Sequence, residues 1–412
     1  MTARILAAGA LTLIIASLNT RAFFGQTVET GPPAFSRWST FCEGLEHTAT
    51  VVLADLDGDR DLDVIFGNGR HFEEPNWVLS NDGNGIFYGR RELGLEVNPT
   101  HGLGVGDVDG DGALDVFVAN DSGHSSVIYR NDGKGNFTFL ESLGRGTRRA
   151  VAVGDLDGDR DADAVLVGAD QDHILVNDGG GRKWTERPLG PSQPAPARTG
   201  VALADLDRDG DLDIIVPGRG RAATVVYFND GKAGFAESRT VGRVADDSTS
   251  VAAGDVDGDG DLDLVVANWE QAHTVLVNDG RGGFSHSGSF GSGQENTWSI
   301  VLSDIDLDGD LDAAVANRNV AQWAVDVNGD GVDVRDLYGD ERRDVPSRVY
   351  VNNGSGQFAP GPTFGTGSDN TRSIAAGDVD GDGDIDLVLG NDCQPNHVFF
   401  NSLRGRKPER LP

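Results

Sequence analysis

Apolar positions in this chain come in short runs, without the 3.6-residue period that helices require. One stretch shows the pattern. Residues 251–254 are small and apolar. An acidic segment follows, and then residues 262–267 are apolar on both faces. Residues 273–277 form a third run, closed by Asn278-Asp279-Gly280, a strong hairpin signal. Phe284 opens a fourth run. Each unit therefore predicts four strands, in a sheet covered on both sides.

The unit recurs seven times. Its acidic string, Asp-x-Asp-x-Asp-x-Asp-x-Asp in most copies, starts at Asp55, Asp107, Asp155, Asp205, Asp255, Asp304 and Asp378, at intervals of 52, 48, 50, 50, 49 and 74 residues. The long interval contains an insertion, residues 320–344. Asn and an aromatic mark the later part of the unit: Asn81/Phe87, Asn131/Phe137, Asn177/Trp184, Asn229/Phe235, Asn278/Phe284 and Asn352/Phe358. Four strands in about 50 residues fit the blade of a propeller, with the small first strand at the crowded axis. The seventh unit stops after Asn401 without a fourth strand. Phe35 precedes Asp55 by 20 residues, the interval seen between an internal aromatic and the next acidic string. Residues 35–41 should thus supply the missing strand. The predicted fold is all-β: a seven-bladed propeller of four-stranded blades over residues 32–404, closed by its N-terminal strand.

Composition sharpens this picture. The net charge is −32, with 34 Lys+Arg against 66 Asp+Glu. Nucleic acid and anionic membrane are poor partners for such a chain. Without the 34 Asp of the seven strings the net charge would be +2. Such charge concentrated in tight loops points to a cation. Carboxylates at positions 1, 3, 5 and 9, with a backbone carbonyl at 7, suit Ca²⁺, which takes six to eight oxygens. The loops hold no His or Cys for Zn²⁺.

The candidate metal residues are Asp55, Asp57, Asp59, Asp61 and Asp63 in the first string. The second offers Asp107, Asp109, Asp111, Ala113 and Asp115, the third Asp155, Asp157, Asp159, Asp161 and Asp163. The fourth has Asp205, Asp207, Asp209, Asp211 and Asp213, the fifth Asp255, Asp257, Asp259, Asp261 and Asp263. The sixth has Asp304, Asp306, Asp308, Asp310 and Asp312, the seventh Asp378, Asp380, Asp382, Asp384 and Asp386. About seven calcium ions are expected. The insertion opens with Asp326, Asn328 and Asp330, an eighth candidate whose position 12 is Leu337 rather than an acid. A polar surface excursion is the alternative there.

These residues resemble the FG-GAP/VCBS repeats known from the N-terminal propeller of integrin α chains, and Phe66-Gly67 echoes the name. The resemblance spans about residues 32–404. It implies a calcium-binding propeller. An acidic loop in all seven units is more similar to secreted microbial members than to integrins, and nothing implies an integrin β partner.

Residues 5–18 are an apolar run, long enough for an export signal and short for a membrane span. The expectation is a signal peptide over 1–22, a linker over 23–31, a secreted or periplasmic protein without a membrane span, and a basic tail over 405–412. An uncleaved N-terminal anchor is the alternative. Cys42 and Cys393 both fall in the closing blade and predict a disulfide.

The face opposite the acidic loops varies between units. Six residues before each string stand Ala49, His101, Arg149, Thr199, Thr249, Trp298 and Arg372, which should ring one channel mouth. Trp269 and Arg318 belong to loops on that face. His101, Arg149, Trp269, Trp298, Arg318 and Arg372 are the candidate ligand residues. His173, His273 and His397 each begin a third strand and read as structural. The chain lacks Gly-x-Ser-x-Gly, His-Glu-x-x-His, Walker and dinucleotide signatures. The expected function is a monomeric binding or adhesion module for a carbohydrate or extracellular protein. A polysaccharide lyase using His101 or Arg149, or a lectin, are the alternatives.

Overall fold

The computed structural model describes residues 32–35, 37–41, 46–190, 198–220, 222–243, 245–319 and 345–403. Within them the chain forms seven four-stranded antiparallel sheets. The first blade is β2 (Thr48–Ala54), β3 (Asp63–Asn68), β4 (Trp77–Asn81) and β5 (Phe87–Glu92). The next five repeat this order. The last combines β26 (Thr371–Gly377), β27 (Asp386–Asn391) and β28 (Asn396–Phe400) with β1 (Arg37–Phe41) on its outer edge. The propeller and its N-terminal closure are thus as expected. The closing strand pairs Arg37 with Phe400 through Phe41 with Asn396. It begins two residues later than anticipated, leaving Phe35 to pack edge-on against Phe364 at 5.7 Å.

Fourth strands begin at the marker aromatic in five blades: Phe87, Phe137, Trp184, Phe284 and Phe358. In the fourth blade the strand starts at Glu237, two residues past Phe235. Val, Ile and Leu on both faces of the middle strands are buried between adjacent blades, as at Val64, Ile65 and Phe66. This two-sided burial explains why those runs lack an alternating pattern. At the axis the strands crowd. A Cβ on Gly102 would lie 2.9 Å from the Ala150 Cα and 3.0 Å from the Arg149 carbonyl.

Two devices shape the ring. The first is a register shift in strand one of six blades, where one residue is left over: Ala49, His101, Arg149, Thr249, Trp298 or Arg372. In five blades the preceding hydroxyl donates to the Asn that ends strand two, as from Thr48 to Asn68 (2.7 Å) and Thr297 to Asn317 (2.7 Å). A bulge re-aims its extra residue.

The second device is a closed circle of hydrogen bonds. The marker Asn of each blade donates its Nδ2 to a carbonyl in the preceding acidic loop. Asn131 reaches Leu56, Asn177 Val108, Asn229 Leu156, Asn278 Leu206, Asn352 Val256 and Asn401 Ile305. Asn81 reaches Val379 at 2.7 Å and completes the circle. Among the described residues no helix is long and apolar enough to cross a membrane.

Several expectations fall on other residues. Asp326, Asn328 and Asp330 lie outside the described residues, as do Cys42, the 1–22 segment and the basic tail.

Candidate functional site

The acidic loops share one construction. The position 1 carboxylate accepts the N–H of position 6 in all seven, as in Gly112 to Asp107 at 3.0 Å. The position 5 carboxylate accepts the N–H of position 7, as in Asp261 to Asp259 at 2.8 Å. These bonds curl the loop, and positions 4 and 6 take left-handed φ throughout. Position 6 is Gly in five copies, yet Arg60 (φ 80°) and Arg160 (φ 81°) adopt the same conformation. Gly210 sits at φ 98° with nothing within 4 Å of an added Cβ. Its replacement by Ala should therefore cost only backbone strain, about 1 kcal/mol. A melting temperature equal to or above the parent's would contradict the strained-loop account.

Position 9 turns out to hold the fold before it holds anything else. Each of these Asp is almost fully buried. Asp263 is typical: one oxygen accepts the Val256 N–H at 3.0 Å, the other the Asn278 N–H at 2.8 Å. The same pair of bonds recurs at Asp63, Asp115, Asp163, Asp213, Asp312 and Asp386. Each oxygen keeps a second lone pair, so coordination stays open to it. In five loops the position 7 carboxylate (Asp61, Asp161, Asp211, Asp261 or Asp310) turns away, toward the glycine-bearing loop after strand three. The Asp161 carboxylate accepts the Gly180 N–H at 2.8 Å, and the Asp61 carboxyl packs against Gly83. That orientation leaves the backbone carbonyl as the only way for position 7 to contribute.

Two features suit a hard cation. Carboxylates converge: ligand oxygens of Asp55, Asp57 and Asp59 lie within 4.8 Å of one another, as do those of Asp107, Asp109 and Asp115. In addition, Asp57 Oδ1, Asp109 Oδ1, Asp205 Oδ1, Asp207 Oδ1 and Asp304 Oδ1 are buried without a hydrogen-bond donor. Buried anionic oxygens in that state are costly, and a multi-oxygen cation such as Ca²⁺ would relieve them. The loops differ in detail. In the second blade Arg130 Nε pairs with Asp109 Oδ2 at 2.8 Å and Ala113 replaces a carboxylate.

Burial pushes Asp63, Asp115 and Asp263 up to about 6, Asp163, Asp213 and Asp312 up to about 7, and Asp386 up to about 8. The two backbone donors at each work in the opposite direction but do not prevail. An unfolded Asp titrates near 3.9. The calcium-free fold therefore holds protons more tightly than the unfolded chain. This stabilisation is complete below about pH 4 and is lost as pH climbs through 6 to 8. In chelator, the melting temperature should fall between pH 5 and pH 8, measurable by calorimetry. A rise over that interval would contradict it.

The opposite mouth collects the ring predicted from the repeats. Ala49, His101, Arg149, Thr199, Trp298 and Arg372 line it together. Thr249 instead turns into the wall, where its hydroxyl donates to the Thr297 carbonyl at 2.9 Å. Trp269 meets Trp298 edge to face at 5.9 Å. Arg219, Arg318 and Arg372 surround this pair, the Arg372 guanidinium 4.6 Å from the Trp298 ring centre. Sequence reasoning missed the counter-charges. Asp392 takes Arg372 (2.9 Å) and Arg70 (3.2 Å), Asp121 takes Arg149 (3.3 Å) and His71 (3.1 Å), and Asp247 takes Arg219 (3.0 Å). Asp121 and Asp392 each follow the terminal Asn of strand two, the offset that Trp269 and Arg318 also occupy, and that shared offset was the available signal.

Burial opposes ionisation of Asp121, but His71, the Ser122 N–H and Arg149 outweigh it and hold the acid at about 2. His101 donates Nδ1–H to the Arg149 carbonyl at 3.0 Å. Burial, then Arg70 and Arg149, push it down to about 3, so it stays neutral.

His273 is buried against Phe290 and Tyr350, and His173 meets Glu186 at 2.6 Å, in keeping with structural roles. Cys393 carries a free thiol 3.6 Å from Asp392 Oδ1. Its left-handed φ of 58° places it beside His47, which Glu74 holds at 2.6 Å. Cys42, the predicted disulfide partner of Cys393, lies outside the described residues.

Solved structures of similar architecture include an Agrocybe aegerita lectin that recognises non-reducing terminal N-acetylglucosamine. It is 19% identical, with a TM-score of 0.50, over 77% of this chain and 80% of the lectin. BBS1N in complex with ARL6DN, from crystals soaked with mercury, is 11% identical, with a TM-score of 0.54, over 91% of this chain and 98% of its own. The lead-soaked form gives 10%, 0.56, 90% and 97%. These likenesses concern the fold alone. No curated protein sequence matches the chain. The FG-GAP-like repeat matches residues 55–118, 107–166, 155–216, 218–266, 255–315 and 326–389, windows that contain all seven acidic strings. This chain belongs to the FG-GAP-like repeat family.

Proposed function

We propose that this propeller is an exported calcium-binding module that holds a carbohydrate or extracellular protein ligand at the mouth opposite its acidic loops. One observation carries the reading. The same bulge recurs in six blades, and the residues it presents are of five kinds: Ala49, His101, Thr249, Trp298, and Arg at 149 and 372. A uniform scaffold displaying a variable ring is the arrangement expected of a recognition surface. Calcium at the other face would tie each loop's carboxylates together and stiffen the wheel. Propellers of this architecture include a sugar-binding lectin and one bound to a protein partner, so both ligand classes suit the fold.

Binding without turnover is favoured over a lyase. A lyase base must accept a proton near neutral pH, and a histidine held at about 3 is a poor one. Export is proposed from the apolar run over residues 5–18. The test has two readouts on protein purified in millimolar calcium. Elemental analysis should find about seven calcium ions per chain. A panel of glycans and extracellular proteins should show retention with no new product. Absence of bound calcium would overturn the metal reading, and unsaturated sugar ends would favour the lyase.

A further inference from the structure

We propose that the channel mouth and the cleft beside it form one site for an acidic oligosaccharide, with a sugar carboxylate at Arg372 and Arg149 and a neighbouring ring on Trp269. This rests on the reading that the mouth is the binding face, and adds the ligand's chemistry.

The mouth is built for an anion. Arg372 is almost wholly buried, and its Nε and Nη2 bond Asp392 Oδ2 at 3.2 and 2.9 Å. Its Nη1 is buried without a hydrogen-bond partner. Arg372 also shares Asp392 with Arg70, so two guanidiniums contact one carboxylate. An oxyanion would complete this arrangement, and a guanidinium offers it a two-pronged donor. The enclosed end holds only about 20 Å³, room for a water or a carboxylate oxygen and no sugar ring. The ring must therefore lie outside.

A place for it adjoins. Trp269 and Trp298 touch edge to face and link the mouth to a surface cleft of about 340 Å³, at the small end of ligand pockets. The cleft is lined by Trp269, Asp247, Glu270 and Gln271. An aromatic face beside hydrogen-bonding carboxylates and amide suits sugar hydroxyls. Sugar hydroxyls can donate to those carboxylates, which the acidic side chains of a peptide cannot, and this makes the glycan the better occupant. Neutral His101 adds an Nε2 acceptor for a hydroxyl, since its Nδ1 already donates to the Arg149 carbonyl.

Titration calorimetry with trigalacturonate in constant excess calcium tests this. Carboxyl-reduced trisaccharide keeps the rings and removes the charge. Triglutamate keeps charge without rings. Trigalacturonate should bind at least tenfold more tightly than either. Arg149→Gln and Trp269→Ala should each weaken it at least tenfold with calcium content and melting temperature unchanged. Arg372→Gln should also weaken binding at least tenfold, with a lower melting temperature because it breaks the buried pair with Asp392, and Arg149→Gln decides the matter where that variant fails to fold. Equal binding of the reduced sugar, or tighter binding of triglutamate, overturns the proposal. If no acidic sugar binds while the panel retains another ligand, this inference falls and the binding-module reading stands. If nothing is retained, both fall.

Discussion

Stripping calcium with EGTA should lower the melting temperature by about 20 °C. Seven independent sites at a hundredfold excess over Kd contribute about 2.7 kcal/mol each. Unfolding entropy near 2.1 cal/mol/K per residue converts that sum, for a propeller of this length, to roughly that shift. The physical source lies in the loops themselves. Asp57 is pushed upward by burial and then by its neighbour Asp59, so the metal-free loop resists holding its full charge. A cation removes both penalties at once. Returning Ca²⁺ should restore the transition, whereas equimolar Mg²⁺, which demands a tight octahedron and keeps its waters, should restore it poorly. Scanning calorimetry with and without chelator measures this directly. A melting curve unmoved by EGTA would remove the metal from the account.

The architecture was legible because a repeat announces itself many times. The aromatic-to-acid interval was enough to locate β1 on the far end of the chain, since Phe35 fell where a fourth strand had to begin. The mouth ring was legible for the same reason: one offset, applied seven times. Backbone conformation was less visible. Position 6 carries Gly five times, which advertises a left-handed turn, but Arg208 and Leu307 at position 4 (φ 66° and 61°) adopt it without advertisement. The Asp at position 9 was read as a ligand because its spacing fits a cation loop. That it also receives two backbone N–H groups depends on the Asn-Asp-Gly loop folding back onto it, a contact that spacing alone does not encode. The mouth's ion pairs were hidden similarly. Arg70 and Asp392 stand 322 residues apart and meet only because the wheel closes.

Two Asp→Asn changes in one loop of the fifth blade should separate coordination from folding, with opposite signs. Asp259, at position 5, is exposed, and its carboxylate accepts one N–H within the loop. An amide oxygen can keep that bond. Without calcium, Asp259→Asn removes a like charge beside Asp257, whose carboxyl Asp259 helps push upward, so stability should stay level or rise slightly. With calcium it should fall, because a ligand charge is gone. Asp263 differs. Asn there can accept from only one of the Val256 and Asn278 N–H groups and turns an NH₂ against the other. An unsatisfied buried donor costs about 1–3 kcal/mol, and two opposed donors cost more. Asn278 also carries the Leu206 bond that links this blade to the one before it, so the damage should spread across that seam. Asp263→Asn should therefore lose about 3 kcal/mol in chelator, and more in calcium, where a ligand charge is also gone. Chemical unfolding of both variants in EGTA and in millimolar Ca²⁺ gives four stabilities to compare. If Asp263→Asn matched Asp259→Asn in chelator, the position 9 carboxylate would be a ligand only, and the hydrogen-bonded staple described here would not be what locks the acidic loops to the wheel.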